Sequence, residues 1–148
     1  MKIVVDGDAC PVKEEAISLA YRYQIPIKIY IDVSHILEDD YATIVYCDIG
    51  RDSVDFSVLK DIVKGDILIT QDYELAGFAL AKDVYCFNFY GIEYTKETID
   101  QLLFSRYVSF KARKQGFRQY QKPRTSNDNT VFLKNIDDFL KQVYNDKR

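Results

Sequence analysis

Short runs of β-branched and aromatic residues alternate along this chain with stretches of helical periodicity. The runs have the length and composition of strands, and they lie at 3–5, 27–31, 43–47, 67–70 and 84–87. Strands that alternate with helices favour an α/β fold, in which helices cover both faces of a mostly parallel sheet. We therefore predict one domain over residues 1–148, with a three-layer, Rossmann-like architecture and about five strands.

The helical stretches have recognisable starts and stops. The first is predicted to begin at Pro11, the second follows GRDSVDF, and the third follows TQDYELA. A longer helix is predicted from Thr95, as its N-cap, to about Gln115, with Gly116 as the stop. The following FRQYQKPRTSND has loop composition, and a short last helix is predicted at 135–144.

Composition narrows the class of protein. With 148 residues and 47% apolar content, the chain can bury a core without disulfides or a structural metal. Three cysteines cannot all pair and no stretch is apolar enough to span a membrane, so we expect a soluble cytoplasmic protein with free thiols. The only histidine, His35, is interpreted as a surface residue. A His-based triad or a zinc site therefore cannot be assembled.

Charge is segregated along the chain. Residues 105–127 carry seven cations and no acid, which leaves 13 of the 20 cations against all 23 acids in the rest of the chain. Aromatic residues interleave these cations, as in surfaces that bind phosphates and stack bases. A solvated helix followed by a loop is the alternative interpretation. The candidate substrate-binding residues are Arg106, Lys111, Arg113, Lys114, Arg118, Tyr120 and Lys122.

Carboxylates follow three of the predicted strands. They are Asp6 and Asp8 after the first strand, Asp48, Asp52 and Asp55 after the third, and Asp72 after the fourth. Open α/β sheets bind ligands at the carboxyl ends of their strands, and clustered carboxylates repel one another unless a cation lies among them. Mg²⁺ and Mn²⁺ prefer such oxygen ligands, so the pattern predicts a metal site. For Asp8, Asp52 and Asp72, capping of the next helix is the alternative role.

Several motifs together resemble a known family. VDGDACPVK, GRDSVDFSVL, GDILITQDYELA, YGIEYTKETIDQLLFSR and KARKQGF look like the YaiI/YqxD family of uncharacterised bacterial proteins, over almost the whole chain. That family is similar to PIN-like nucleases. The resemblance implies a PIN-like fold in which Asp6, Asp72 and one or both of Asp52 and Asp55 bind divalent metal, with Asp8 as the fourth acid.

Other functions compete with this interpretation. Asp6-x-Asp8 is also the signature of haloacid-dehalogenase-like phosphatases, but in those enzymes the Thr/Ser strand precedes the metal acids, whereas Thr70 here follows them. A receiver-type phosphoacceptor would need a Lys after the fifth strand, where the chain has Asn88. A non-catalytic nucleic-acid-binding module remains as the main alternative. Cys10 is interpreted as a packed residue, the alternative being a thiol activated by Lys13 and a helix N-terminus.

The sequence thus favours a phosphodiesterase that depends on Mg²⁺ or Mn²⁺, with RNA favoured over DNA as its substrate. The candidate catalytic residues are Asp6, Asp8, Asp52, Asp55 and Asp72.

Overall fold

The computed structural model describes residues 1–34, 36–48, 53–116 and 122–146, and within them it has an α/β architecture. The strands are β1 (Ile3–Asp6), β2 (Ile27–Asp32), β3 (Thr43–Cys47), β4 (Ile67–Ile69), β5 (Tyr85–Phe87) and β6 (Glu93–Tyr94). The helices are α1 (Lys13–Tyr23), α2 (Ser53–Asp61), α3 (Tyr73–Leu80), α4 (Lys96–Lys114) and α5 (Ser126–Asp146). All five predicted strands are present, and β6 is an addition that the sequence did not suggest.

The strands form one sheet in the order β3-β2-β1-β4-β5-β6. β1 to β5 run parallel, and β6 is antiparallel to β5. The chain first adds β2 and β3 on one side of β1, and then crosses through α2 to place β4 and β5 on the other side. The order therefore reverses between β1 and β4. In open parallel sheets such a reversal leaves a crevice at the carboxyl ends of the strands, where ligands bind.

Helices cover both faces of the sheet, which confirms the predicted three-layer α/β fold. On one face, α1 and α5 pack over Ile3 and Val5 of β1. On the other face, α2, α3 and α4 cover Val4. This alternation follows the two-residue period of a strand. Because both faces of β1 are buried, the strand is apolar from its start until Asp6.

The last helix is much longer than the sequence suggested. α5 begins at Ser126, in a stretch predicted to be a loop, because Phe132 is fully buried and anchors the first turns against the sheet. Asp128 accepts a hydrogen bond from the Thr125 backbone N–H at 2.8 Å. This Thr-x-x-Asp spacing is that of a capping box and was the overlooked signal. None of the helices in the described ranges is long and apolar enough to cross a membrane.

The start of α1 also differs from the prediction, whereas α4 agrees with it. α1 begins at Lys13, because Pro11 lies in the turn that precedes the helix. α4 is capped by the Thr95 side chain, which accepts a hydrogen bond from the Thr98 backbone N–H at 3.2 Å. Its C-terminal end is followed by Gly116 in the left-handed conformation, with φ of +91°.

The three cysteines are buried and free, as predicted. Burial raises the pKa of the Cys10 thiol to about 11, and the nearby charges of Lys13 and Arg124 offset this only in part. A thiol with a raised pKa is a poor nucleophile at neutral pH. The activated-thiol alternative for Cys10 is therefore wrong, and the residue contributes to the core.

At Gly7, just after β1, the backbone lies very close to β2 at the carboxyl edge of the sheet. A Cβ at Gly7 would lie 2.6 Å from Ile31 Cγ2 and 2.9 Å from the Tyr30 carbonyl oxygen. We expect Gly7→Ala to lower the free energy of unfolding by about 1–3 kcal/mol, because the core must shift to admit the methyl group.

Gly77→Ala is the control for Gly7→Ala. Its Cβ would meet Ile99 at 3.5 Å, an ordinary contact. We expect that helix to gain up to about 1 kcal/mol. Urea titrations of both variants measure the difference, and equal effects would contradict the close approach.

Candidate active site at the carboxyl edge of the sheet

Asp6 and Asp72 meet through a buried threonine at the point where the strand order reverses. Asp6 ends β1, and Thr70 and Asp72 follow β4, the neighbouring parallel strand. The Thr70 hydroxyl donates a hydrogen bond to Asp6 Oδ2 at 2.7 Å and accepts one from the Asp72 backbone N–H at 3.0 Å. Thr70 is fully buried, and the Tyr94 hydroxyl of β6 donates to its carbonyl oxygen at 3.1 Å. Thr70 therefore joins the ends of β1 and β4 through its hydroxyl, while its carbonyl oxygen is bonded to β6.

The carboxyl group of Asp6 has an unusual pKa. It is raised to about 6, chiefly by burial; the hydrogen bond from Thr70 lowers the pKa, and the negative charges of Asp72 and Asp8 raise it. Burial disfavours the charged form, and neighbouring carboxylates add repulsion. The structure thus brings Asp6, Asp8 and Asp72 within electrostatic range of one another. Perturbed carboxylates in such a position are typical of functional sites.

Asp72 has the capping role that was its alternative interpretation. Its Oδ1 accepts hydrogen bonds from the backbone N–H groups of Glu74 at 2.9 Å and Leu75 at 3.3 Å, which caps α3. Its Oδ2 accepts no hydrogen bond from the residues that the structure describes. Capping and ligand binding are therefore compatible, because each uses a different oxygen of the same carboxylate.

Asp8 does not cap the helix that follows it. Val12 is the N-cap of α1, and no side chain caps that end. Instead Asp8 Oδ1 accepts a hydrogen bond from the Asp32 backbone N–H at 3.2 Å, which ties the turn after β1 to the end of β2. The Asp32 carboxylate accepts a hydrogen bond from the Ser34 backbone N–H at 2.9 Å. Sequence reasoning missed Asp32, although IKIYID ends an apolar run in an acid just as IVVD does.

Of the three acids that follow β3, the structure describes Asp48 and Asp55. Asp48 is exposed after β3, which lies two strands from β1 in the sheet. Asp55 is half-buried in the first turn of α2, a helix that packs over β1 and β2. Asp52 lies outside the described residues. That Asp52 or Asp55 contributes to the site, as the resemblance implies, stays a prediction.

Different metal ions need different numbers of protein ligands. Among the described residues, no three His, Cys, Asp or Glu side chains form a group that could hold a metal ion. Such a group would be needed for zinc or for an all-protein calcium cage. Mg²⁺, however, usually binds through one or two carboxylates together with water and substrate phosphates. Asp6 and Asp72, which follow neighbouring parallel strands and are linked through Thr70, are the two described carboxylates that a magnesium site of this kind would use.

The basic half of α4 extends past this edge of the sheet. α4 runs antiparallel to α3, because Ile99 lies beside Gly77 whereas Arg106 pairs with Glu74 at 3.8 Å, nearer the start of α3. Glu74 follows the α3 cap by two residues. α4 therefore continues beyond the carboxyl edge, and the eight residues after Arg106 span about 12 Å. We call residues 104–114, the part of the helix from this level onward, the α4 extension.

The α4 extension is exposed, apolar and basic at once. Phe104 is 67% exposed, and Tyr107 and Phe110 are each at least half exposed. Lys111 lies 5.2 Å from the centre of the Tyr107 ring, and Lys114 lies 4.9 Å from that of Phe110. Its other cations, Arg106 and Arg113, are also exposed, as is Lys122, whereas Arg118 and Tyr120 lie outside the described residues.

Arg124 has a structural role at the far end of the basic segment. Its Nη2 donates to the Phe89 carbonyl oxygen at 2.6 Å, its Nε donates to Asn129 Oδ1 at 2.8 Å, and its guanidinium lies 4.7 Å from the centre of the Tyr90 ring. Phe89 and Tyr90 follow β5. The basic segment, residues 105–127, is therefore attached near both of its ends at the carboxyl edge. Arg106 lies beside α3, and Arg124 lies beside the loop after β5.

The raised pKa of Asp6 predicts a stability that depends on pH. The folded state binds the Asp6 proton more tightly than the unfolded state, so this group stabilises the fold at low pH, and that contribution is lost as the pH rises through about 4 to 6. We expect Asp6→Asn to exceed wild type in free energy of unfolding at pH 8 by up to about 3 kcal/mol, and to lose this advantage by pH 4. Asp138→Asn, on exposed α5 surface, controls for the charge change. Urea titrations from pH 4 to 8 without metal measure it. A destabilised Asp6→Asn at pH 8 would contradict the assignment.

The known proteins that this chain resembles match it over almost its whole length. Residues 4–142 match the family described as "Uncharacterized BCR, YaiI/YqxD family". A UPF0178 protein of Enterococcus faecalis is 42% identical over 146 residues, covering 96% of this chain and 99% of its own length. A UPF0178 protein of Natranaerobius thermophilus is 38% identical over 143 residues, covering 97% and 95%. No solved structure matches the chain. The chain therefore belongs to the YaiI/YqxD family.

Proposed function

We propose that this protein is a Mg²⁺- or Mn²⁺-dependent phosphodiesterase that cleaves single-stranded nucleic acid, with RNA favoured over DNA. The observation that carries the proposal is the link through Thr70 at the strand-order reversal, where the Thr70 hydroxyl bonds both the Asp6 carboxylate and the Asp72 backbone N–H. The resemblance to PIN-like nucleases points to the same two acids. The exposed cations and aromatic rings of the α4 extension supply a surface for a polynucleotide beside them.

Each residue of the site has a distinct role in this proposal. Asp6 and Asp72 would hold the metal, Asp8 would bind it through water, and Asp52 or Asp55 would add a further carboxylate. A divalent ion lowers the pKa of bound water and neutralises charge on the phosphate. Thr70 orients the Asp6 carboxylate through its 2.7 Å hydrogen bond. Since the pKa of Asp6 is about 6 without metal, the carboxylate is mostly ionised and able to bind a cation at neutral pH.

The α4 extension explains why the substrate would be a polymer. A small phosphomonoester needs one or two cations close to the reacting group. Here Arg106, Lys111, Arg113 and Lys114 lie on an exposed helix that leaves the edge of the sheet beside Asp72. Several exposed cations on one helix can contact more than one phosphate of a single strand, and Tyr107 or Phe104 offers a ring on which a base can stack.

Cleavage of RNA tests the proposed chemistry. We expect wild type to cleave a single-stranded oligoribonucleotide with Mn²⁺ or Mg²⁺, and to lose activity with EDTA. Asp6→Asn should lose at least about a thousandfold in rate, because it removes a metal ligand at the reacting centre. Asp138→Asn should retain wild-type activity. Mn²⁺ should also raise the melting temperature of wild type but not of Asp6→Asn, since only a bound ligand stabilises the folded state.

Other outcomes would select the competing functions. RNA binding without cleavage, and without stabilisation by Mn²⁺, would identify a non-catalytic nucleic-acid-binding module. Hydrolysis of a generic phosphomonoester that depends on Asp6, in the absence of RNA cleavage, would identify a phosphatase. Either result would overturn the nuclease proposal.

The salt dependence of binding tests the α4 extension. We expect log K for single-stranded RNA to fall with log salt by about 0.7 for each phosphate neutralised. Charge reversal of Arg113 and Lys114 should weaken binding and flatten this slope, whereas reversal of Lys134 and Lys141 on α5 should change neither. Tyr107→Ala should cost about 1–3 kcal/mol and leave the slope unchanged if the ring stacks on a base. Filter binding at four salt concentrations measures these effects. An unchanged slope in the Arg113 and Lys114 variant would exclude the extension as the binding surface.

A further inference from the structure

The side of α4 that points away from the sheet carries a stripe of exposed residues. Ile99, Leu102 and Leu103 pack the other side of the helix against the core. On the outward side, residues follow one another at intervals of three and four, the spacing that keeps side chains on one line along a helix. We call this set the outer stripe: Glu97, Asp100, Phe104, Tyr107, Lys111 and Lys114. All six residues are exposed.

The centre of the outer stripe is apolar. Phe104 and Tyr107 are each more than half exposed, and Val108, which flanks them, is 46% exposed. Single exposed apolar residues are common on protein surfaces, but adjacent large ones mark surfaces that bind a partner. The centre of the outer stripe therefore has the character of an interface.

The two ends of the outer stripe carry opposite charges. Glu97 and Asp100 lie at its N-terminal end, and Lys111 and Lys114 lie at its C-terminal end. None of the four forms an ion pair with any residue that the structure describes. Acids near the start of a helix and cations near its end complement the helix dipole, but this effect fades within one turn. Asp100 is the fifth residue of α4, so the dipole does not account for the whole arrangement.

We propose that the outer stripe is a dimer interface, on which α4 of a second copy of this chain packs antiparallel. When the pairing is centred between Phe104 and Tyr107, each Phe104 meets Tyr107 of the second copy. The same register brings each acid opposite a lysine of the second copy, in the pairs Asp100–Lys111 and Glu97–Lys114. Because a two-fold axis relates the copies, every contact occurs twice.

Charge complementarity favours a second copy, in this orientation, as the partner. A parallel pairing would place acids against acids and lysines against lysines, whereas the antiparallel pairing matches opposite charges along the whole stripe. Intervals of three and four residues are those of a coiled-coil seam, and an apolar centre with charged ends is the usual anatomy of an interface. The outer stripe is thus complementary to itself.

The position of α4 leaves room for this dimer but limits its strength. Since the core lies on the opposite side of α4, the two sheets would lie on either side of the helix pair and would not collide. One pair of helices buries little surface, so we expect a dissociation constant of about 1–100 μM, as in weak or transient complexes.

The dimer does not rest on the proposed function. Arg106 pairs with Glu74 of α3 and lies outside the outer stripe, and Arg113, two turns later, lies on the same side of the helix. Both cations therefore stay available to a nucleic acid in the dimer. A strand on Tyr107 or Lys111 would compete with the second copy, so RNA is left out of the test.

Sedimentation velocity of the full chain in EDTA measures the association, at concentrations up to about 500 μM. Wild type should pass from monomer to dimer over this range. Asp100→Lys and Lys111→Asp should each weaken association at least about tenfold, because each places like charges opposite one another. An equimolar mixture of the two variants should dimerise as wild type does, since each lysine then meets an aspartate. Loss of a merely structural role would not be restored by mixing.

Matched variants elsewhere on the surface are the controls. Lys134→Asp and Asp138→Lys make the same charge changes on exposed α5 and should associate as wild type does. Phe104→Ala should weaken association at least about tenfold, because it removes a central ring. Phe56→Ala, on α2 and 64% exposed, should have no effect.

Several outcomes would overturn the inference. A monomer at every concentration would leave the outer stripe without a second copy. A dimer that neither Asp100→Lys nor Phe104→Ala weakens would lie on another surface, and failure of the mixture to associate would exclude the antiparallel register. RNA cleavage by a protein that stays monomeric would refute only the dimer, whereas a dimer that cleaves no RNA would refute only the nuclease.

Discussion

The parallel pairing of β1 with β4 is the constraint on which the candidate site depends. Ile3 pairs with Ile67 and Val5 with Ile69, so the next residues of the two strands, Asp6 and Thr70, lie side by side. A slip of one residue would turn Asp6 to the other face of the sheet. The apolar residues before it, buried on both faces, oppose such a slip. Packing of the core thus sets the geometry of the acids at its edge.

This geometry carries a cost in stability. The Asp6 carboxylate is held where burial and two neighbouring acids disfavour its charge, and the Thr70 hydroxyl relieves this only in part. A protein without a use for this arrangement would gain stability by replacing the acid. The destabilising Asp6 carboxylate therefore favours a functional role. Carboxylates that repel one another in the free protein would each attract a bound cation.

The acidic and basic residues, which are separated along the chain, are also separated in the structure. The sheet and its packed helices carry the acids, while the α4 extension holds cations and exposed rings beyond the carboxyl edge. An approaching polynucleotide would be drawn to the extension and repelled by the remaining surface, which orients it toward the edge where Asp6 and Asp72 lie. In this proposal the extension binds the strand and the acids cleave it.

The sequence by itself determined the elements and the chemistry at their ends. Apolar runs of strand length, the Thr95 cap and the stop at Gly116 are local signals, and they located five strands and α4. It missed β6, which has only two residues, and the start of α5, whose anchor Phe132 is recognised as core only once the sheet is formed. Local patterns also could not show that Asp72 caps α3 while leaving one oxygen for other contacts.

Only the tertiary structure decided which acids lie close to one another. Asp6, Asp72 and Asp8 come together because β4 crosses to the other side of β1, whereas Asp48 follows a strand two positions away. It likewise brought Asp32 to this edge and anchored Arg124 on Phe89 and Tyr90. Strand order depends on contacts between residues far apart in the chain. The pattern of a strand therefore predicts that an acid follows its end. It does not predict which other acid will lie beside that one in the sheet.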